Sequence, residues 1–386
     1  MFPFFIKVNQ YLFYNFAASN QPYITMLNGH GDDSYRYGRK ITLNFSSNVY
    51  HHTSLAPLFR HLENCWEQVR SYPEPSPHAV ESQLAQAMGI SAESVCLTSG
   101  ATEAIYLIAQ TFSGRRSCIL SPTFSEYADA CRLHGHQVRS IYTTDHLPKD
   151  ADIVWICNPN NPTGALYPKE VLQKIVDLAR EHHLIIFSDE IYDRLVMDGK
   201  EHISIASLAP DLFCVTFSGL SKSHMIAGFR IGWMVLSGNK AIAKDYIEGI
   251  KMLSNMRLCS NVPGQSIVQT ALGGHQSVED YIMPGGRIYE QREFIYKALT
   301  DIPGISAVKP KAAFYIFPKI DTKKFNIVND EQFVLDLLRE KKVLLIHGGG
   351  FNWQQPDHFR VVYLPRIEVL KKATDSMADF LNHYHQ

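Results

Sequence analysis

The segment VTFSGLSKSHMIAGFRIGWMV, Val215–Val235, carries Lys222 and, eight residues on, Arg230 among apolar, glycine and hydroxyl-bearing side chains. A lysine in such surroundings is a candidate nucleophile, because desolvation and a neighbouring cation lower its pKa and free the amine. Complementary chemistry recurs along the chain. Ala101-Thr102 opens a helix-like run after the glycine of SVCLTSG, where backbone N–H groups and the helix dipole make an anion site. Thr123-Phe124 follows CILSP and sets an aromatic ring at the end of a strand-like run. NPNNPTG holds Asn161 in a tight, proline-rich turn. Asp189 ends LIIFSD with Tyr192 three residues on, and Ser221 stands beside the lysine. Singly, each has a plain structural role as helix cap, core ring, turn or solvated amine. Together, an anion cradle, an aromatic plate, an amide, a carboxylate, a phenol and a lysine are what a phosphorylated, planar, cationic, aldehyde-bearing ring requires.

These residues converge only if the segments before them share one sheet. From about residue 94 to 220, apolar strand-like runs (SVCLTSG, RSCILSP, ADIVWICNP, LIIFSDE, LFCVTFS) alternate with helix-like ones (ATEAIYLIAQTF, SEYADACRLHG, PKEVLQKIVDLAREHH). Apolar strands without polar alternation are buried on both faces, and alternation with helices predicts a parallel sheet. Ligands then collect at the carboxyl ends of the strands, where the residues above fall. From about residue 276 the pattern changes. A helix over VEDYIMPGGRIYEQREFIYKALTDI, then SAVKPKAAFYIFPKI, DEQFVLDLLREKKVLLIHG and FRVVYLPR, predicts a smaller α+β unit. The expected division is an amino-terminal arm with part of the small domain over 1–54, a large domain over 55–275 and a small domain over 276–386. The aromatic arm MFPFFIKVNQYLFYNFAASNQPY is expected to pack on the body or on a partner subunit. Lys7, Asn9, Gln10 and Asn15 break its apolar run, and no basic head precedes it, which argues against a signal peptide.

Composition narrows the function classes. A chain of 386 residues with 45% hydrophobic and 19% charged residues has ample core for two domains. A net charge of −1 with no basic stripe makes nucleic acid and anionic membrane poor partners, and no apolar run reaches the ~20 residues of a membrane span. Seven scattered cysteines without a CxxC pair fit reduced thiols in a cytoplasmic protein and offer no zinc site. His51–His52 and His182–His183 lack metal-ligand spacing. GHGDDS lacks the third glycine of a dinucleotide fingerprint, and HGGGF has no accompanying GxSxG elbow.

In combination and in this order, NPNNPTG, SDEIYDRL and SGLSKSHMIAGFRIGW resemble the pyridoxal-phosphate enzymes of fold type I, in the class I/II aminotransferase family. The likeness runs from about residue 28 to the end. It implies an α/β fold: a large domain with a mostly parallel sheet flanked by helices, plus a smaller α+β domain. It implies pyridoxal 5'-phosphate as cofactor, an amino acid and a 2-oxo acid as substrates, and a homodimer with shared active sites. Lys222 would form the internal aldimine and, once displaced by substrate, shuttle the proton between substrate Cα and the cofactor. Asp189 would pair with the pyridine nitrogen, so that the ring absorbs carbanion charge. Asn161 and Tyr192 would donate to the phenolic oxygen, and Phe124 would stack on the ring. The backbone at Ala101 and Thr102, with Ser221 and Arg230, would hold the phosphate, and Tyr72 would reach the phosphate of a neighbouring subunit. Arg360, in DHFRVVYLPR, would bind the substrate carboxylate in bidentate fashion, with Asn161 and Ser46 in the same substrate site. Arg366 is evenly spaced from it, but Pro365 interrupts any strand between them, which favours Arg360.

The resemblance divides within the family. From about residue 153 onward, NPNNPTGALYPKEVL, AGFRIGWMVLSG, PGGRIYEQR and FNWQQPDHFRVVYLPR are similar to bacterial glutamate–pyruvate (alanine) transaminases. Over about 28–110, GHGDD, LNFSSNVY, RSYPEPSPHAV and SGATEAIYLIA are similar to histidinol-phosphate aminotransferases and threonine-phosphate decarboxylases. Phe124 stands where the alanine enzymes have tyrosine, and Tyr127 where they have tryptophan. The expected reaction is transamination between alanine or glutamate and their oxo acids, passing through a pyridoxamine form of the cofactor. The alternatives are a histidinol-phosphate-type transaminase, a phosphothreonine-type decarboxylase, or a carbon–sulfur lyase on the same scaffold.

Overall fold

The computed structural model describes Ser34 and residues 41–386; the amino-terminal arm and GHGDD lie outside the described residues. Its centre is a seven-stranded sheet of β2 (Val95–Thr98), β3 (Arg116–Leu120), β4 (Gln137–Ile141), β5 (Ile153–Cys157), β6 (Ile185–Asp189), β7 (Cys214–Gly219) and β8 (Gly232–Ser237), after the short β1 (Leu43–Asn44). The spatial order is β2-β8-β7-β6-β5-β3-β4. Every residue of β2 and β5 is buried, as strands covered on both faces require. Strands β3 to β7 pair in parallel. The connecting helices Ala101–Thr111, Glu126–Leu133 and Lys169–Glu181 each bury one apolar face, with Leu133 left exposed at the end of the second.

The sheet is mostly parallel, as expected, and two of its strands were not among the strand-like runs of the sequence. Strand β8 runs antiparallel to both β7 and β2, and the edge strand β4, half exposed, had no apolar run to announce it. The reversal at β8 matters for the site. Gly219 pairs with Gly232, so the connection that carries Ser221, Lys222 and Arg230 starts and ends on adjacent sheet positions. Both cations are thereby returned to the edge where β2, β3, β5, β6 and β7 also end.

The carboxy-terminal part is α+β. Strand Phe359–Val362 lies between Tyr315–Ile316 and Ile346–His347, and β1 pairs in parallel with Val343–Leu344. The single helix expected over 278–302 is two, Ser277–Ile282 and Arg287–Thr300. Pro284 lacks the N–H a helix needs, and the following glycines favour a turn. A Cβ on Gly286 would also lie 2.2 Å from the Asp280 carbonyl oxygen, so the break is sterically fixed.

Candidate active site

A cavity of about 270 Å³ opens at the carboxyl edge of the large sheet. Its wall contains Ala101, Thr102, Phe124, Asn161, Asp189, Tyr192, Ser221, Lys222 and Arg230, so nine of the residues singled out by sequence meet there. Three do not line it. Arg360 and Ser46 stand behind Asn161, and Tyr72 is 87% exposed in a surface cleft with Val262 and Pro263.

The floor is set by where the strands stop. Asp189 is the last residue of β6 and is buried. Its Oδ2 accepts from the Tyr127 hydroxyl at 2.6 Å and its Oδ1 from the Ile191 N–H at 3.1 Å. Burial pushes its pKa up to about 6, against those two donors and the nearby Lys222. Lys222 sits in the helical turn Leu220–Ser223 that closes β7. Burial, then the charges of Arg360 and Arg230, bring its pKa down to about 7, with Asp189 pulling the other way. At neutral pH a substantial fraction of this amine is therefore unprotonated and nucleophilic.

An anion cradle forms one end of the cavity. The helix Ala101–Thr111 begins after Gly100, whose φ of +86° suits glycine. A Cβ at Gly100 would stand 2.5 Å from Arg230 Nη2, and one at Gly232 would stand 2.4 Å from the Ala101 backbone nitrogen. Both glycines thus let an arginine and a helix N-terminus converge. Arg230 itself takes a left-handed backbone conformation, φ 54°, and anchors through Nη1 to the Ala227 carbonyl at 2.8 Å.

The other end gathers the groups suited to a carboxylate. Asn158 accepts from the Tyr167 N–H, and Asn160 accepts from Thr163 and donates to the Pro122 carbonyl, which folds the NPNNPTG turn. Asn161 Oδ1 then accepts from Arg360 Nη1 at 2.9 Å, leaving its amide N–H groups for the cavity. Arg360 is fully buried. Nη2 donates to the Ser46 carbonyl at 2.8 Å, and the guanidinium lies between the rings of Tyr315 and Phe351 at 4.8 and 4.7 Å. Its Nε has no partner, and among the described residues the ionisable groups acting on it are the phenols of Tyr315 and Tyr192, not a carboxylate. A buried cation without a counter-charge is costly unless an anionic ligand supplies one. Ser46 meets this arginine through its backbone carbonyl; its hydroxyl is turned to Asn44 Oδ1 at 2.8 Å.

Sequence reasoning missed three residues. Asn48 lines the cavity and donates to the Tyr315 hydroxyl at 2.9 Å, which in turn lies 2.7 Å from the Tyr192 hydroxyl. Tyr127, noted only as a departure from relatives, lies against Asp189. Its position three residues after Phe124, at the start of a helix, was the one available signal.

The class of protein follows from this fold and site: residues 40–376 match the model of the aminotransferase class I and II family, and the chain belongs to it. Over 239 residues it is 58% identical to the glutamate-pyruvate aminotransferase AlaA of Escherichia coli (strain K12), covering 62% of this chain and 59% of that one. The AlaA of Haemophilus influenzae is 60% identical over 231 residues, 60% of this chain and 57% of the relative. The chain thus spans somewhat over half the length of the curated relatives it matches. Among solved structures, an aminotransferase from Escherichia coli superposes with a TM-score of 0.87 at 40% identity, over 92% of this chain and 93% of that one. The alanine aminotransferase of Pyrococcus furiosus superposes at 0.83 with 30% identity, over 90% and 94%. The architecture is that of fold type I.

The family is pyridoxal-phosphate-dependent, and the donor set fits that group. The glycine-bounded cradle of Ala101 and Arg230 suits a phosphate, Asp189 a pyridine nitrogen, and Lys222 an aldehyde. Among the described residues no helix is long and apolar enough to cross a membrane.

Proposed function

We propose that this chain is a pyridoxal-phosphate-dependent aminotransferase acting on a small L-amino acid, alanine or glutamate, and the matching 2-oxo acids. The observation that carries the reading is one cavity in which a near-neutral Lys222 faces Asp189, with the uncompensated Arg360 behind Asn161. Bound there, the cofactor would supply an electron sink for the negative charge left when Cα loses its proton.

The chain's own residues do the rest. Arg360 binds the substrate carboxylate with its planar fork, helped by the Asn161 amide, and this orients the Cα–H bond. The amine of Lys222 removes that proton and returns it. Asp189 offers a carboxylate to the pyridine nitrogen, Tyr192 and Asn161 hold the phenolic oxygen, and Phe124 covers the ring face. Ala101, Thr102, Ser221 and Arg230 hold the phosphate. The cations of the cavity wall, Lys222 and Arg230, are both committed by this scheme, which favours an unphosphorylated substrate.

The molecule is proposed to work in the cytoplasm as a homodimer. Tyr72, with Phe59, Trp66 and Val69, forms an exposed apolar stretch suited to a second copy, where Tyr72 would reach the partner's phosphate site. The division at residues 54 and 275 is proposed on the pairing of β1 with Val343–Leu344, which ties the first described strand to the carboxy-terminal part.

The test is the half-reaction. Protein loaded with pyridoxal phosphate is mixed separately with L-alanine, L-glutamate, histidinol phosphate and O-phospho-L-threonine, and the cofactor's visible absorbance is followed. Rapid change with alanine and glutamate is expected. A response to a phosphorylated compound alone would overturn the substrate assignment, and release of carbon dioxide would then mark a decarboxylase.

A further inference from the structure

We propose that Tyr127 is a positioning residue for the cofactor: its hydroxyl holds the Asp189 carboxylate in the orientation and charge state that a pyridinium nitrogen needs. The inference rests on the cofactor assignment above and gives Tyr127, a residue of the cavity wall, a role exerted through Asp189.

Geometry carries the argument. Tyr127 is 1% exposed, and its hydroxyl donates to Asp189 Oδ2 at 2.6 Å, a short charge-assisted contact. The Ile191 N–H holds the other oxygen. Two donors from two different elements therefore fix both carboxylate oxygens and leave the remaining lone pairs to the cavity. The phenol is itself fixed. Its ring stacks on Trp155 at 5.7 Å and 23°, and stands edge-on to Phe124 at 5.8 Å and 83°. Phe124 is the ring assigned to the cofactor's face, so one tyrosine braces both the plate and the carboxylate. Full burial drives the Tyr127 pKa well above its ordinary value, so the hydroxyl remains a donor at any working pH.

The charge balance around Asp189 explains why such a donor is needed. Facing it are Tyr127 from the helix Glu126–Leu133, Cys157 at the end of β5, Tyr192 beyond β6, and Lys222 beyond β7. Only Lys222 carries positive charge, and only in part at neutral pH. Without the phenol, the carboxylate would keep one backbone donor and become a stronger base, and the shared proton would move from ring nitrogen to Asp189.

The test uses the full-length enzyme with Tyr127→Phe, which keeps the ring packing and removes the hydroxyl, alone and in an Asp189→Asn background. The readouts are the cofactor dissociation constant, the pH midpoint of the bound cofactor's visible absorbance, and the melting temperature. Tyr127→Phe is expected to weaken cofactor binding about tenfold and move the midpoint by about half a pH unit or more, with kcat falling more than KM rises. In the Asp189→Asn background the same change should alter binding less than about twofold, because the hydroxyl then has no carboxylate whose charge state it could set. Equal losses in both backgrounds would mean that Tyr127 merely packs the core, and so would an unchanged midpoint and affinity. If Tyr127→Phe does not fold, Tyr127→His, which keeps an N–H donor, takes its place, and a midpoint and affinity equal to wild type support the assignment while changed values overturn it. Failure of the wild-type protein to bind pyridoxal phosphate would overturn the functional reading itself, a separate result.

Discussion

Asp189 and Glu190 are consecutive buried carboxylates at the end of β6, and they face opposite sides of the sheet edge. Asp189 lines the cavity with Lys222; Glu190 lines a second hollow on the far side. Both are hydrogen-bonded. Asp189 accepts from a phenol and a backbone N–H, Glu190 from the hydroxyls of Ser188 and Ser204 and the Ile205 N–H. Yet burial raises Asp189 only to about 6 and Glu190 to about 8. Neutral donors oppose burial in both cases. Burial is the largest cause in both; the neighbouring charge adds a smaller contribution of opposite sign, Lys222 lowering Asp189 and the like charge of Asp193 raising Glu190. His202, 3.8 Å from Glu190, is itself held down to about 4 by burial and brings no positive charge at neutral pH. Residue type and burial alone would assign these carboxylates one role; the nearby cation separates a working group from a structural one.

The largest effect should come from removing that cation. Lys222→Ala is expected to abolish the cofactor's characteristic absorbance and lower turnover at least about a thousandfold. A variant that kept both would place the reactive amine elsewhere. Next, Asp189→Asn should cut turnover by roughly a few hundredfold, because an amide cannot hold a pyridinium proton. The melting temperature should barely move, since Asn preserves the acceptor for Tyr127. A comparable drop from Glu190→Gln would erase the contrast. Arg360→Lys keeps the buried charge but loses the planar fork. Its kcat/KM for the amino acid should fall about thirtyfold, equivalent to about 2 kcal/mol for a lost charged hydrogen bond. Cofactor affinity should be unchanged, and a parallel loss of cofactor would make Arg360 structural.

How much of this was legible in the sequence depended on distance along the chain. The cavity wall was readable because its residues directly follow apolar runs, and in a parallel sheet those positions converge whatever else the chain does. Lys222 and Arg230 come back to that edge on one short connection. The contacts of the second layer were not readable, although the resemblance named Tyr192, Arg360 and Ser46 singly. Tyr192 meets Tyr315 across 123 residues, Asn48 meets Tyr315 across 267, and Arg360 meets Ser46 across 314. No spacing rule encodes such pairs, since they arise when the carboxy-terminal part docks on the large sheet. Direction was also hidden. Strand β8 has the composition of its parallel neighbours, and only its short connection from β7 argued for reversal. The helix break at Met283–Gly286 was visible in MPGG but was outweighed by the apolar pattern on either side.

The smallest predicted effect is the sharpest test of the contrast. Glu190→Gln should leave activity within about twofold, because at neutral pH the folded protein already holds Glu190 uncharged. Its signature is in stability against pH. The folded-state pKa is raised from 4.5 to about 8, so between those values the unfolded chain has released a proton that the folded chain retains. Wild-type stability is therefore fully supported below about pH 4.5 and is eroded as pH rises toward 8. Gln has no proton to release and escapes this loss. The neutral His202 and the raised Asp189, which titrate at lower pH, are common to both proteins and cancel in the difference. The melting temperature of Glu190→Gln minus that of wild type should thus climb from pH 5 to pH 8 and level off beyond it. A difference that stayed flat over that range would mean that Glu190 ionises alike in the folded and unfolded states and that burial does not hold it uncharged.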